Sequence, residues 1–349
     1  RLVASAVGYK KATSNVTVTE GERRSVSLRI RAKEYGLEEV VVSASRSDEA
    51  LGQVASSVSV LDSEKLDEQK VLTSDLGDIL AKQVPGLTPS NGSLSNSGQT
   101  LRGRAPLFMI DGIPQNTPLR DGARSLRTTS PEVIERIEVV RGASALYGYG
   151  ATGGSINLIT KDPTSELEAT TKVGIRGSSA DVQESFTGQL HQSVSTRWKE
   201  VGVLAIGSFE RWGQFYDGRG NLIAQDPRGS GGLAGADEIN LFGKIDTDIG
   251  ADQEISASVN YYSIQQDMEY GRKFGVYEEE PTSATSNPKN FPENPGTENL
   301  VGQVRYEHND LLGSQVSAQA YAQDFTTYFG FFPNFYPGGG QSLVDARKF

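Results

Sequence analysis

Residues 146–160 read LYGYGATGGSINLIT, and Gly148-Tyr149-Gly150-Ala151-Thr152-Gly153 within them spells the GxGxxG spacing that can cradle a dinucleotide pyrophosphate. That reading requires a helix directly after the glycines, because a helix N-terminus holds the phosphate. The chain instead continues from Gly153 as Gly154-Ser155-Ile156-Asn157-Leu158-Ile159-Thr160. Asn, Ile and Thr are poor residues for a first helical turn, and Ile156, Leu158 and Thr160 alternate with their neighbours, so the stretch predicts a strand. No acidic residue closes a second parallel strand about twenty positions on. The nucleotide reading fails. The glycines are then there for backbone geometry, permitting positive φ and close chain approach in a crowded loop.

Outward from this stretch, 349 residues exceed the usual single-domain size, so two or more units are expected. Asp plus Glu outnumber Lys plus Arg by 44 to 34, and a net charge of −10 argues against a nucleic-acid partner. With no cysteine there is no disulfide, thiolate metal site or cysteine nucleophile in this sequence. No apolar run approaches the roughly 20 residues of a spanning helix, a test that membrane β-strands escape. Arg1 is not an initiator methionine and the first residues read as mid-strand, so processing ahead of it is expected.

Residues 1–32 alternate around a turn at Glu20-Gly21-Glu22 and read as the end of a small β-sandwich. Residues 33–50 form a polar linker with one extended run, Val40-Val41-Val42. Residues 51–162 read as a compact α+β unit. It has strands at 57–61, 107–110 and 137–140, and a helix over 75–83 with Ser74 as candidate N-cap, stopped by Pro85-Gly86. Ser130 and Pro131 cap a further helical turn.

From Glu166 onward the period is two. Leu167, Ala169, Val173 and Ile175 oppose Glu166, Glu168, Lys172 and Arg176; the same holds over 254–262 and 315–323, and less cleanly near 184–193, 200–211, 238–248 and 299–307. Leu204 and Ile206 fall on the face that should be polar. Segments of about ten residues separated by alternately short and long polar stretches suit an outer-membrane barrel; a soluble β-sandwich is the alternative.

The closing stretch IERIEVVRGASALYGYGATGGSINLITK (134–161) resembles the end of the plug domain of TonB-dependent outer-membrane receptors. LRGRAPLFMIDGIP (101–114) is similar to that family's arginine-glycine strand and Asp-Gly turn, and LEEVVVSASR (37–46) to its energy-coupling box. Gly142-Ala143 stands where the family commonly has Gly-Pro. Residues 1–32 resemble the closing strands of a carboxypeptidase-regulatory-like domain. The fold implied is mainly β: an α+β plug (51–162) inside a transmembrane antiparallel β-barrel, of which residues 163–349 supply the first strands and long outer loops. Such barrels close with about 22 strands, so the protein is expected to continue past Phe349.

The resemblance implies active uptake across the bacterial outer membrane. A TonB-type energy-transducing partner would grip Leu37, Glu38, Glu39, Val40, Val41, Val42 and Ser43; an ordinary linker is the plain reading of the same residues. The plug-motif glycines are Gly103, Gly112, Gly142, Gly148, Gly153 and Gly154. Arg102 and Arg141 are expected to meet wall carboxylates such as Glu166, Glu168, Asp246 or Glu254, with Arg104 equally readable as a surface residue. Ligand contacts are expected at apices 91–98, 114–124 and 143–149, from Gln115, Asn116, Arg120, Arg124, Tyr147 and Tyr149, with the aromatic stretch 328–336 as a stacking surface or a membrane girdle. A ferric siderophore is the leading cargo; cobalamin, haem and oligosaccharides are alternatives, as are a passive channel, a signalling receptor and, in another class, a soluble adhesin. No catalytic residue, metal site or cofactor is expected: His191 and His308 stand alone, no hydrolase elbow or phosphate loop occurs, and Glu278-Glu279-Glu280 reads as a solvated loop, with calcium as the alternative.

Overall fold

The computed structural model describes residues 2–4, 12–14, 41–42, 49–50, 57–94, 96, 98–115, 122–143, 150–225, 232–250, 252–273, 275–276, 279, 283–286 and 294–328. Two compact units result, Arg1–Ala55 and Ser56–Phe349. In the first, β1 (Leu2–Ala4) pairs antiparallel with β2 (Ala12–Ser14), and β3 (Val41–Val42) with β4 (Glu49–Ala50). The sandwich strands expected between residues 16 and 30 lie outside the described residues.

The second unit opens with the α+β part: β5 (Ser57–Leu61), α1 (Ser63–Lys70), α2 (Leu76–Gln83), β6 (Leu107–Ile110), β7 (Ile113–Pro114), β8 (Ile134–Arg141) and β9 (Gly154–Thr160). Its five-stranded sheet has the order β5-β8-β9-β6-β7, with only β6 and β9 parallel. The glycine-rich end therefore runs into a strand. Leu76, Ile79 and Leu80 of α2 are buried with Leu61, Leu66, Ile137, Val139, Ile156 and Leu158 in one apolar core. The α2 cap is Asp75, not Ser74: its carboxylate accepts from the backbone N–H of Gly77 (2.8 Å) and Asp78 (3.3 Å), and a carboxylate at this position also complements the helix dipole. Helix α1 was not expected, because SEKLDEQK buries only Leu66 and shows no apolar stripe; Asp62 caps it through the Lys65 N–H at 3.0 Å.

Residues from 168 onward build a wall of seven antiparallel strands in chain order: β10 (Glu168–Arg176), β11 (Thr187–Trp198), β12 (Val201–Arg211), β13 (Ala236–Ile249), β14 (Gln253–Gln266), β17 (Gly296–Leu311) and β18 (Ser314–Tyr328). The connection expected to be polar loop throughout, after β14, carries a hairpin of β15 (Tyr270–Lys273) and β16 (Ser283–Ser286). Short turns alternate with long connections, and the turns use positive φ at Lys199, Gly250, Leu312 and Gly313. Val173, Ile175, Leu190, Val194, Val203, Leu241, Ile245, Val259, Leu300 and Val304 are all exposed on one face. So continuous an apolar face on a sheet is a lipid-facing wall. Trp198 sits at a short turn with the Lys199 ammonium 4.9 Å from its ring, the pairing of an interfacial belt.

The opposite face meets the α+β unit, which explains Leu204 and Ile206. With Phe242 they close on Val133, so an apolar residue of the inner unit makes these lumen positions apolar. Leu241→Arg, on the lipid face in the middle of β13, is expected to destabilise the folded wall by about 2–4 kcal/mol in a vesicle folding titration.

Candidate functional site at the plug–wall interface and the apical loops

Residues 128–130 leave a 3-10 helix (Gly122–Arg127) and precede another (Pro131–Val133) whose N-cap is Ser130, as the sequence suggested. Three wall asparagines grip this strip. The Ser130 N–H donates to Asn240 Oδ1 (2.9 Å), Asn260 Nδ2 donates to the Thr128 carbonyl (3.2 Å), and Asn299 Nδ2 donates to Thr128 Oγ1 (3.1 Å). Asn240 Nδ2 completes the network on Asn260 Oδ1 at 2.7 Å. Farther along the wall, Gln303 donates to the Asp111 carboxylate (2.9 Å), Gln319 to the Asp111 carbonyl (3.1 Å), and Gln323 to Gln115 Oε1 (3.1 Å). Asp111 is itself fixed by the Thr160 N–H and hydroxyl, at 2.9 and 2.8 Å. Most of these links are neutral amide hydrogen bonds.

Two ion pairs add charge, with wall lysines on plug carboxylates: Lys172–Glu132 at 2.7 Å and Lys244–Asp162 at 2.6 Å. Arg141 donates to Ser59 Oγ (2.8 Å) within the plug sheet, and Arg102 is exposed at φ +53° with its N–H on the Gly86 carbonyl (2.6 Å). Asp246 is paired with Arg197 inside the wall, at 2.5 Å. A cavity of about 50 Å³ lies between Ser130, Glu132, Lys172, His191, Glu210 and Glu238, with room for water among polar partners. His191 shares a hydrogen bond with Ser208 Oγ (3.0 Å), its other nitrogen 4.0 Å from Glu132, while His308 accepts from the Asp310 N–H at 3.3 Å. Among the described residues no cluster could hold a metal ion.

Burial alone would raise the Glu132 carboxyl. The hydrogen bond from Lys172 and the charges of Lys70, Lys172 and His191 outweigh it and hold the group below its ordinary value. A carboxyl depressed in the folded state stabilises above its unfolded pKa, and that stability is lost as pH falls through the folded one. The loss therefore falls below about pH 4.3. Glu132→Gln is expected to remove this part of the acid sensitivity, seen as a smaller difference between the urea midpoints of plug release at neutral pH and at about pH 3.

On the side of the long connections, Leu94 of the loop 91–98 packs with Leu233, Ala236, Tyr262 and Ile264, flanked by Trp212 and Phe215. The Arg176 guanidinium lies 4.2 Å from the Trp212 ring. Beneath the loop Arg127 is buried. Its Nη2 meets Asp75 Oδ2 at 2.8 Å and its Nε donates to the Ser93 carbonyl at 3.1 Å. Neither Arg127 nor the asparagine grip was foreseen.

Of the expected ligand residues, Gln115 is buried in the plug–wall contact and Arg124 is partly buried in a 3-10 helix. Asn116, Arg120, Tyr147 and Tyr149 lie outside the described residues, as do Gly148 and 329–349. Of residues 37–43 only Val41 and Val42 are described. Gly103, Gly112 and Gly142 have positive φ, as does Gly154 at +129°.

A plug sheet gripped by the polar face of an antiparallel wall, whose other face is apolar, defines a plugged outer-membrane receptor. Residues 50–155 match the family described as TonB-dependent Receptor Plug Domain. The ferric aerobactin receptor of Klebsiella pneumoniae is 32% identical over 304 residues, covering 85% of this chain and 40% of that protein. The rhizobactin receptor of Rhizobium meliloti (strain 1021) is 33% identical over 298 residues, covering 81% and 39%. In fold, the unliganded ferric citrate transporter FecA is similar at a TM-score of 0.65 and 17% identity, covering 83% of this chain and 43% of that one. The chain belongs to the TonB-dependent outer-membrane receptors and spans about two fifths of the length of these relatives.

Proposed function

We propose that this chain is part of an importer that takes a ferric siderophore through the outer membrane at the expense of the inner-membrane proton gradient. Identity to the aerobactin and rhizobactin receptors over more than four fifths of the chain supports the cargo class. The observation that carries the transport reading is the amide grip on residues 128–130. Each neutral hydrogen bond contributes only about 1 kcal/mol net, so a plug held by several can be freed one link at a time. Breaking a buried charge pair would cost more, about 3–5 kcal/mol, and the two plug–wall ion pairs, Lys172–Glu132 and Lys244–Asp162, are more exposed than that on at least one side.

In this reading the siderophore docks on the plug apices and outer loops, with Asn116, Arg120, Arg124, Tyr147 and Tyr149 as its contacts, while Gln115 serves the plug–wall contact instead. Residues 37–43 form the handle for a TonB-type partner, residues 51–162 are the stopper, and Arg102 and Arg141 face the rest of the wall. Residues 1–32 close a carboxypeptidase-regulatory-like domain. The protein catalyses no reaction, and iron is cargo. Growth of an iron-starved strain lacking its other receptors tests this, with ferric aerobactin, rhizobactin, haem or cobalamin supplied singly. Rescue by a ferric siderophore is expected. Rescue by cobalamin or haem alone would overturn the cargo class.

A further inference from the structure

We infer that Arg127 is a positioning residue that couples the outward-facing loop 91–98 to the first turn of α2. The inference rests on the transport reading for its purpose, but not for its geometry. Residues 128–130, immediately after Arg127, are fixed to three wall strands by Asn240, Asn260 and Asn299. The backbone of Arg127 therefore has a stationary support, and its guanidinium is the part free to transmit. That guanidinium, 34 and 52 residues further on in the chain, joins two elements: the Ser93 carbonyl in the apical loop at 3.1 Å, and Asp75 Oδ2 at 2.8 Å.

Asp75 is not a passive counter-ion. Its other oxygen caps α2 through Gly77 and Asp78, and Ser90 Oγ reaches the shared oxygen at 2.7 Å. Both residues are more than nine-tenths buried, so the pair is poorly screened and its geometry is tightly set. From the other side, Leu94 ties the apical loop to Leu233 and Trp212 at the base of an outer connection. A ligand that shifts this loop moves Ser93. The wall cannot follow. The ends of the loop are tied to α2 directly, by Ser90 Oγ on Asp75 and by Gln99 Nε2 on the Gly77 carbonyl at 2.9 Å, and a displacement at Ser93 in its middle passes through Arg127 to the same cap. Helix α2 shares its core with Leu61 of β5, the first plug strand after residues 37–43 in the chain.

A double-mutant cycle read by amide hydrogen exchange in the full receptor tests this without a ligand. Leu94→Ala, which loosens the apical loop, is expected to speed exchange at residues 77–79 about tenfold, the equivalent of one charge-assisted hydrogen bond. In an Arg127→Lys background the same substitution should change those amides less than about twofold, since lysine cannot hold both oxygens in one plane. Asp75→Asn, which keeps a capping oxygen and removes the charge, should block transmission equally. Unchanged exchange in β11 and β12, which Leu94 does not touch, reports that each variant is folded. An equal effect of Leu94→Ala in all three backgrounds overturns the relay, as does no effect of Leu94→Ala in the wild type. In cells, with ferric aerobactin as probe, Arg127→Lys should lower the maximal uptake rate and leave the half-saturating concentration unchanged. Failure of the wild type to import that probe would count against the cargo and leave the exchange result to judge the relay.

Discussion

Gly153→Val in the full receptor is expected to leave the wall folded and the bore unstoppered. A Cβ at Gly153 would lie 2.7 Å from the Arg104 carbonyl oxygen and 2.9 Å from that of Leu101. Both obstacles are backbone, and neither can swing away: Leu101 and Arg104 bond each other's main chain at 2.9 and 3.1 Å, and the Gly153 N–H is held by the Ala105 carbonyl at 3.0 Å. The clash stands at the entry to β9, the strand between β8 and β6, and so strikes the middle of the plug sheet. A cost above about 4 kcal/mol is a large share of the stability of any domain. Protease should cut within 51–162 in the variant, and single-channel recording should show an open pore. Gly98→Ala is the control: φ there is +84° but nothing lies within 4 Å, so only the backbone term of about 1–2 kcal/mol applies and the pore should stay closed. A sealed Gly153→Val receptor would mean the glycines serve something other than packing.

The same glycines show where the sequence was legible. A short buried run such as LFMI over 107–110 has one way to satisfy its apolar side chains, and β6 has those bounds. The wall was readable because lipid demands an apolar residue at every second position, and Leu204 and Ile206 looked misplaced only because their partner, Val133, is distant in sequence. Helix α1 escaped because its one buried residue, Leu66, gives no periodicity. The grip on residues 128–130 was illegible for a different reason. An asparagine on the lumen face of a strand satisfies the polar period whether it meets water or a plug carbonyl. Asn240, Asn260 and Asn299 become a set only through the register that brings 240 opposite 262 and 262 opposite 299. Arginine was the expected contact because charge stands out in a sequence; Arg127 does bind deeply, but to the plug's own Asp75.

If residues 37–43 are the handle, Val41→Pro should abolish uptake while leaving siderophore binding at the cell surface unchanged. A partner that adds a strand to this segment recognises main-chain N–H and C=O groups, and side chains adjust the fit. Val41 and Val42 already show that capacity within the chain, pairing antiparallel with Ala50 and Glu49 as β3 and β4. Proline at 41 removes one donor and leaves its partner carbonyl unpaired, a loss of about 1–3 kcal/mol, or roughly ten- to a hundredfold in occupancy of the partner. Because force must pass through that contact on every cycle, the uptake rate should fall by a similar factor. Val41→Thr keeps the donor and the β-branch, and should import at nearly the wild-type rate. Binding and uptake of labelled ferric siderophore, measured on the same cells, separate the two steps. Loss of both in Val41→Pro would indicate a receptor that no longer reaches the membrane. Full uptake by Val41→Pro would remove the handle from the mechanism and leave diffusion past the plug as the route.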